Sequence, residues 1–224
     1  MSTPRPRRQN LADDVAGHLR DAILSGRLQS GARVDQDAIA EELGVSRLPV
    51  REALIALDQE GLIHTIPRRG AYVQVFQPED IEDHYQIYGH VAGIAAARAS
   101  QRMSVEEIEK LKTVNEKLGK STNVDEQERL NFEFHKLINA SGGSKKLRNM
   151  LGILTRSLPV HHNELVPGWP KLAQAHHQAI VDAIEARDAD AAQRAMEDHL
   201  AESAAMAIQT LRERNFFTPA PVVD

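Results

Sequence analysis

The spacing of apolar residues near the start of the chain is first that of helices and then that of strands. The first helix carries an apolar residue at every fourth position, at Leu11, Val15, Leu19 and Ile23. Asn10 is the predicted cap of this helix, Asp35 caps a second, and Ser46 opens a third, its hydroxyl placed to accept hydrogen bonds from first-turn amides. After Gly61 the apolar spacing falls to two, on both sides of a turn at residues 67–70. The pattern predicts three helices followed by a small β-hairpin.

The chain beyond Pro78 shows only helical patterns. Ser104 and Glu107 have the spacing of a capping box, and Asp188 is the candidate cap of the last helix. Two helices flank Ser104, and four more are predicted at about residues 125–140, 145–156, 170–186 and 189–211. The fold class is therefore mainly α. The Phe76-Gln77-Pro78 stretch is the predicted boundary between a domain of residues 1–77 and an all-α domain of residues 78–224.

Residues 43–54 read LGVSRLPVREAL and organise the first domain. Gly44 ends one short helix and Ser46 begins the next, so the stretch is a helix, a tight turn and a helix. Arg47 and Arg51 are four residues apart and share one helical face. Pro49 lies in the first helical turn, where its missing N–H costs little and its fixed φ stiffens the chain. This arrangement is typical of a recognition helix that presents its N-terminal residues to DNA.

The formal net charge of −5 is unevenly distributed. Residues 1–77 contain ten arginines, no lysine and ten acidic residues, so they are neutral and the net negative charge lies in residues 78–224. The arginines of the first domain lie in an N-terminal arm, in the recognition helix and at the hairpin tip. Because electrostatic attraction to phosphates extends over about 10 Å at moderate salt, this distribution of arginines favours DNA binding by the first domain alone.

The composition limits the remaining possibilities. The chain has no cysteine, so a disulfide framework is excluded. No apolar run approaches the roughly 18 residues of a membrane span, and the N-terminus lacks the hydrophobic core of a signal peptide. We expect a cytoplasmic protein without membrane contact.

The run GVSRLPVREAL, followed by Leu57 and by Glu60-Gly61-Leu62, resembles the signature of the GntR family of bacterial transcription regulators. Leu48 stands where that family usually has threonine, and Ser30 where it usually has proline. The resemblance implies a winged helix-turn-helix whose wing is the predicted hairpin. The expected DNA contacts are Ser46, Arg47, Pro49 and Arg51 of the recognition helix, Arg68, Arg69 and Gly70 of the wing, and Arg7 and Arg8 of the arm. The arm is either such a contact or a disordered tail.

Three predicted helices of the second domain carry histidines that are candidate ligands of one metal ion. Asn131 and His135 are four residues apart and share a helical face, whereas His177 and His199 lie on two other helices. A bundle that brings these side chains together would offer three imidazoles and an amide oxygen. Such a donor set suits a borderline divalent metal ion such as Zn, Ni or Mn. An isolated histidine on a helix is more often a core or surface residue without a ligand.

The words NFEFH at 131–135, HQAI at 177–180 and MEDHL at 196–200 resemble the metal-binding motifs of the FCD domain, the effector-sensing domain of the FadR-like branch of the GntR family. The resemblance implies that Asn131, His135, His177 and His199 surround a metal beside a cavity for a small carboxylate. Asn131 is neutral where many relatives have aspartate, so we expect weaker metal binding and partial occupancy. His84 and Tyr88 align with an arginine and a glutamate of relatives and are the candidate effector contacts, or else exposed surface residues.

Three classes of function follow from these motifs. The leading expectation is a homodimeric repressor that binds near-palindromic double-stranded operator DNA and responds to a small organic acid. A metalloregulator, for which the metal itself is the signal, is an alternative. A metal-dependent hydrolase or lyase is a third, but the sequence has no HExxH, no glycine-rich phosphate loop and no motif that supplies a general base.

Overall fold

The computed structural model describes residues 8–156, 169–214 and 216–217. The chain forms two compact units, one of Met1–Gln77 together with Leu211–Asp224 and the other of Pro78–Thr210. In the first unit the elements are α1 (Arg8–Leu24), α2 (Gln36–Glu42), α3 (Arg47–Gln59), β1 (Ile63–Ile66) and β2 (Gly70–Val73). This is the predicted order of three helices and a hairpin.

The core of the first unit lies between α1, α3 and the hairpin. Its apolar side chains include Val15, Leu19, Ile23, Val50, Leu54, Leu57, Ile63 and Val73, all of them buried. At its edge the guanidinium of Arg20 on α1 donates three hydrogen bonds of 2.8–3.0 Å to the carboxylate of Glu60, the residue that caps α3. Both side chains are largely buried, so the pair fixes α1 against the C-terminal end of α3.

Two predicted helix starts were wrong in detail. The first helix begins at Arg8, so Asn10 lies inside α1 instead of capping it. Ser46 is the N-cap residue of α3, but its hydroxyl makes no capping hydrogen bond within the described residues. The amide of the third helical residue is a usual donor to such a hydroxyl, and here that residue is Pro49, which has no N–H. By contrast, Asp35 accepts from the amides of Asp37 and Ala38, as the sequence predicts.

The hairpin is antiparallel and pairs Ile63 with Val73 and Ile66 with Gly70. A bridge between Arg33 and Tyr72, and the bond from the amide of Val34 to the carbonyl of Ala71, add a short third chain segment beside β2. This packing holds the base of the hairpin against the body of the unit, while the turn that joins β1 to β2 projects from it.

The second unit is built from helices throughout its described part. These are α4 (Pro78–Arg102), α5 (Val105–Lys120), α6 (Val124–Gly142), α7 (Lys145–Arg156), α8 (Trp169–Glu185) and α9 (Ala189–Glu213). Helix α4 packs against α6, α7 and α8, and α5 packs against α6 and α8. The capping box predicted at Ser104 and Glu107 is present, and Asp188 caps α9 by accepting from the amide of Ala191.

Small residues allow α4 to approach its neighbours closely. A Cβ at Gly93 would lie 3.0–3.2 Å from atoms of Gln193 and Glu197 on α9, and one at Gly142 on α6 would overlap the carbonyl oxygen of Ala95. The alanine-rich second half of α4 is buried along this contact. Close helix packing of this kind gives a rigid bundle on which side chains from different helices keep fixed positions.

The boundary of the second unit differs from the sequence prediction at its C-terminal end. The prediction assigned residues 78–224 to the helical domain, but the second unit ends at Thr210, so the last turn of α9, from Leu211, groups with the first unit. Phe216 is buried there and stacks on Phe76, with ring centroids 5.5 Å apart. Local patterns do not show this pairing, because the two aromatic residues are 140 positions apart.

None of the helices in the described ranges is both long and apolar enough to span a bilayer.

Candidate functional site

Helix α3 has one buried face and one exposed face. Pro49, Val50, Ala53, Leu54 and Leu57 are buried against the core of the first unit. Arg47 and Arg51 are exposed and lie outside that buried face. Both guanidinium groups are accessible at the N-terminal half of the helix, although that of Arg47 pairs with Asp37 of α2, and this is the part of a recognition helix that contacts base edges and phosphates.

The turn of the hairpin presents two further arginines. Arg68 and Arg69 are exposed, and Arg68 has a φ of +64°, a left-handed conformation that non-glycine residues adopt mainly in tight turns. Gly70 follows with a φ of +104°. Of the predicted arm residues, Arg7 lies outside the described residues, and Arg8 is described only as the first residue of α1. Of the predicted DNA contacts, Ser46, Arg47, Arg51, Arg68 and Arg69 are exposed, whereas Pro49 is buried against the core, so its side chain is not available for a direct contact.

The three histidines predicted as metal ligands converge in the core of the second unit. His135 on α6, His177 on α8 and His199 on α9 are all buried, and their candidate donor atoms lie within 4.8 Å of one another. The Nε2 atoms of His135 and His199 are 3.4 Å apart. Two nitrogens that bind one ion at about 2.1 Å in tetrahedral geometry have nearly this separation.

Aromatic packing fixes the orientation of the third imidazole. The ring of His177 stacks on that of Phe134, with centroids 3.8 Å apart and planes 2° from parallel. The same ring lies edge-on to His135 and His199, at centroid distances of 5.1 and 4.8 Å. Phe134 precedes His135 in the sequence, so one turn of α6 supplies both a candidate ligand and the surface that positions a second.

The electrostatics of the cluster favour neutral imidazoles. Burial lowers the pKa of His135 to about 4, and burial together with the neighbouring histidines lowers the pKa of His177 well below its ordinary value. Within the described part of the chain, Oδ1 of Asn131 and both ring nitrogens of His177 are buried without a hydrogen-bond partner. Such orphaned lone pairs are costly in a core unless a ligand uses them. The donor set therefore fits a divalent metal ion, which binds neutral imidazole and amide oxygen.

A cavity of about 540 Å³ adjoins the histidine cluster. Asn131, His135 and His199 line one part of it, and Leu151, Trp169 and Leu200 form part of its apolar wall. The cavity has the size of a small-molecule site and combines an apolar wall with a few convergent polar groups.

The two candidate effector residues differ in their positions. Tyr88 lines the cavity, where its side chain hydrogen-bonds with Thr155, and burial raises the pKa of its phenol, which stays protonated. His84 is not among the residues that line the cavity; its Nε2 lies 3.0 Å from the carbonyl oxygen of Leu154 and donates to it. That bond holds α4 against α7.

The sequence reasoning missed the cationic groups of the cavity. Lys136, Arg148 and Arg156 line it, whereas the sequence indicated only His84 and Tyr88 as candidate effector contacts. A signal was present in α7, where Leu151, Gly152 and Thr155 follow Arg148 at spacings of three, four and seven residues and so share its face. The sequence alone did not show which partner this face meets.

Comparisons with known proteins agree with this architecture. Residues 11–73 match the family described as bacterial regulatory proteins, gntR family, and residues 83–202, more than half of the chain, match the FCD domain. An uncharacterised HTH-type transcriptional regulator of Mycobacterium tuberculosis is 43% identical over 88 residues, which are 39% of this chain and 36% of that relative. The chain thus spans about a third of that relative's length.

Two further proteins are similar over most of the chain. The HTH-type transcriptional repressor RspR of Escherichia coli strain K12 is 25% identical over 204 residues, 88% of each protein. The structure of McbR/YncC from E. coli has the same fold, with a TM-score of 0.68 at 21% identity, covering 89% of this chain and 97% of that one. The chain belongs to the gntR family of bacterial regulatory proteins, with the gntR match in its first unit and an FCD domain in its second.

Proposed function

We propose that this regulator is a homodimeric repressor of near-palindromic operators whose DNA affinity changes when a small organic acid binds beside a metal ion in the second unit. The proposal rests mainly on the observation that His135 and His199 of the histidine cluster also line a cavity of about 540 Å³. A buried metal-ligand cluster that opens onto a ligand-sized cavity is what a sensor of metal-binding anions requires.

The proposed operator contacts come from three places in the first unit. Arg47 and Arg51 supply guanidinium groups to guanine edges and phosphates, and Ser46 and Pro49 shape the first turn that approaches the groove. Arg68, Arg69 and Gly70 place the wing against the backbone or minor groove, and Arg7 and Arg8 add arm contacts. A two-fold protein imposes two-fold symmetry on its site, so each protomer reads one half of the operator.

Exposed apolar side chains support self-association through the second unit. Ile87 is 53% exposed and Ile94 38% exposed, and their seven-residue spacing puts both on one face of α4. Burying such residues in a dimer interface removes apolar surface from water.

The proposed metal ligands are Asn131, His135, His177 and His199, and the ion is Zn, Ni or Mn at partial occupancy. When bound, the metal supplies a positive charge that attracts the carboxylate of the effector. Asn131 adds no negative charge, so the cluster leaves the charge of a dication uncompensated and available to an anionic ligand. The chain's own part is to hold the imidazoles neutral, orient them and exclude water.

The cavity supports an effector with one acidic end and an apolar body. Its carboxylate points to the histidine cluster, and its body packs against Leu151, Trp169 and Leu200. Tyr88 adds a neutral phenol to the lining, and Arg148 offers a charge for a second acidic group. His84 does not line this cavity, so any effect of His84 on the effector passes through its bond to α7.

The proposed sign is repression that the effector relieves. Blocking a promoter requires no partner besides DNA, and the similar RspR protein is described as a repressor. A metalloregulator is the second candidate, since the buried cluster itself could be the sensor. The neutral Asn131 disfavours it, because tight metal sensing benefits from an anionic ligand.

The proposal is tested in two stages with the full-length protein. Selection from a random duplex library yields an operator, and anisotropy titration then compares wild type with Arg51→Ala and with Arg129→Ala, a control at an exposed arginine of the second unit. Arg51→Ala is expected to cost about 1–3 kcal/mol of specific binding, while the control is unchanged. Failure to select any sequence, or equal binding by all three proteins, contradicts the DNA-reading role.

The second stage is a thermal-shift screen of small carboxylates and sugar acids, with and without chelator. We expect a stabilising acid that loses its effect when the metal is removed and that changes operator affinity. A change of operator affinity with metal alone would favour the metalloregulator.

A further inference from the structure

An exposed leucine lies in the first turn of α3, close to the proposed DNA contacts Arg47 and Arg51. Leu48 is 50% exposed although it lies in the first turn of a well-packed helix. At about 100° per residue, its side chain points about 60° around the helix from that of Arg51 and about 100° from that of Arg47. The buried residues of α3 lie on the opposite side. Leu48 therefore lies on the exposed side of α3, next to Arg51, and not on the face that packs in the core.

A single exposed leucine needs no explanation, but the position of this one is specific. Around the helix axis Arg51 lies on one side of Leu48 and the exposed Glu52 on the other, and Leu48 and Glu52 line a shallow depression together. A partner that covers Leu48 and contacts Arg47 and Arg51 presents an apolar group to the leucine and anionic groups to the arginines. The major groove of DNA has this combination, because phosphates line its rims and the C5 methyl of thymine is the apolar group among its base edges.

We infer that Leu48 is a specificity residue that contacts the C5 methyl group of a thymine beside the bases contacted by Arg47 and Arg51. The inference rests on the proposed operator binding by α3. A leucine has neither donor nor acceptor, so it cannot discriminate bases by hydrogen bonding and contributes only through apolar contact. Each half-site of the operator accordingly contains a thymine whose methyl group is part of the recognised surface.

Helix α3 also provides a matched control. Ile55 is 61% exposed and lies seven residues after Leu48, on nearly the same face. It is displaced by about 10 Å along the helix axis from Leu48, beyond the N-terminal turn that contacts base edges. Removing Ile55 therefore deletes a similar exposed apolar group without touching the proposed thymine contact.

The test is a double-mutant cycle between protein and DNA. After operator selection, each thymine is replaced in turn by deoxyuridine, which lacks only the methyl group, and affinities are measured for wild type, Leu48→Ala and Ile55→Ala at one salt concentration. At one thymine per half-site, deoxyuridine should weaken wild-type binding about four-fold, the value of one buried methyl. The same replacement should have no effect on Leu48→Ala and its full effect on Ile55→Ala.

Three results would overturn the inference. One is a deoxyuridine effect below two-fold at every thymine for wild type, and another is an equal effect in wild type and Leu48→Ala. The third is a change in the sedimentation mass of free protein on Leu48→Ala, which would assign Leu48 to contact with a second copy. If the selected operator depends on Arg51 but its thymine methyl groups show no coupling to Leu48, this inference fails alone. If selection yields no operator, the proposed function fails as well.

Discussion

Nε of Arg47 lies 2.5 Å from Oδ1 of Asp37, so the first arginine of α3 is paired with α2 in the free protein. Both side chains are largely exposed, at 72% and 62%, so the pair adds little to stability. It does hold the guanidinium at the N-terminal end of α3, and it places a carboxylate beside the proposed path of the DNA backbone.

Replacing Asp37 with asparagine should tighten operator binding. The substitution keeps the shape of the side chain, frees Arg47 and removes a charge that repels phosphate. We expect a gain of up to about 1 kcal/mol, larger at low salt, measured by anisotropy over a salt series. Glu41→Gln changes another exposed carboxylate of α2 and serves as the control. Unchanged or weaker binding by Asp37→Asn would mean that the pair is needed to orient Arg47.

Replacing His177 with alanine should abolish metal binding while operator affinity in the absence of effector is retained. His177 is buried in the cluster and stacked on Phe134, and neither of its ring nitrogens has a hydrogen-bond partner in the described structure, so both lone-pair positions are open to a ligand. The neighbouring His176 pairs with Glu202 at 3.0 Å and provides the control, because His176→Ala should keep its metal. Elemental analysis after metal loading and gel filtration measures both. Stoichiometric metal in the His177 variant would reject this ligand set.

Replacing Asn131 with aspartate should strengthen metal binding. The variant adds one negative charge beside the three imidazoles and leaves the size of the side chain unchanged. We expect about a ten-fold gain in affinity, equivalent to about 1.4 kcal/mol, by calorimetry with Zn²⁺. Glu133→Gln on the same helix changes a charge outside the cavity lining and should have no effect. A gain no larger than that of the control would place Asn131 outside the coordination shell.

The stability of the metal-free protein should fall with pH below the ordinary histidine pKa. Burial lowers the pKa of His135 from 6.5 to about 4 and that of His177 in the same direction, so the unfolded chain binds protons in this window that the folded protein does not. The free energy of unfolding therefore drops as pH falls from about 6.5 toward 4, by roughly 1.4 kcal/mol per pH unit for each such imidazole. Above about pH 7.5 these groups add no pH dependence.

Urea denaturation in the presence of chelator, from pH 4.5 to 8, measures this dependence. A variant with both His135→Gln and His177→Gln should show a flatter profile, because glutamine does not titrate. Equal slopes in the two proteins would assign the pH dependence to other groups.

The sequence by itself predicted the order of elements, since each rests on local rules. The capping box at Ser104, the Asp35 and Asp188 caps and the change of spacing after Gly61 all act within a few residues. The expected capping bond of Ser46 is absent for a reason that is equally local, because Pro49 has no amide hydrogen to donate to the Ser46 hydroxyl. Motif spacing also singled out Asn131, His135, His177 and His199 before their positions were known.

Only the tertiary structure decided which surfaces meet. The pairing of Phe76 with Phe216, the stacking of Phe134 on His177, and the inclusion of Arg148 in the cavity wall join residues from separate elements. Periodicity shows that a helix has an apolar or cationic face, but not which other helix that face contacts, because packing depends on the shape and volume of every neighbour at once. The sequence therefore determined the elements and the candidate chemistry, and the packing of the bundle determined the histidine cluster, its cavity and the charges around it.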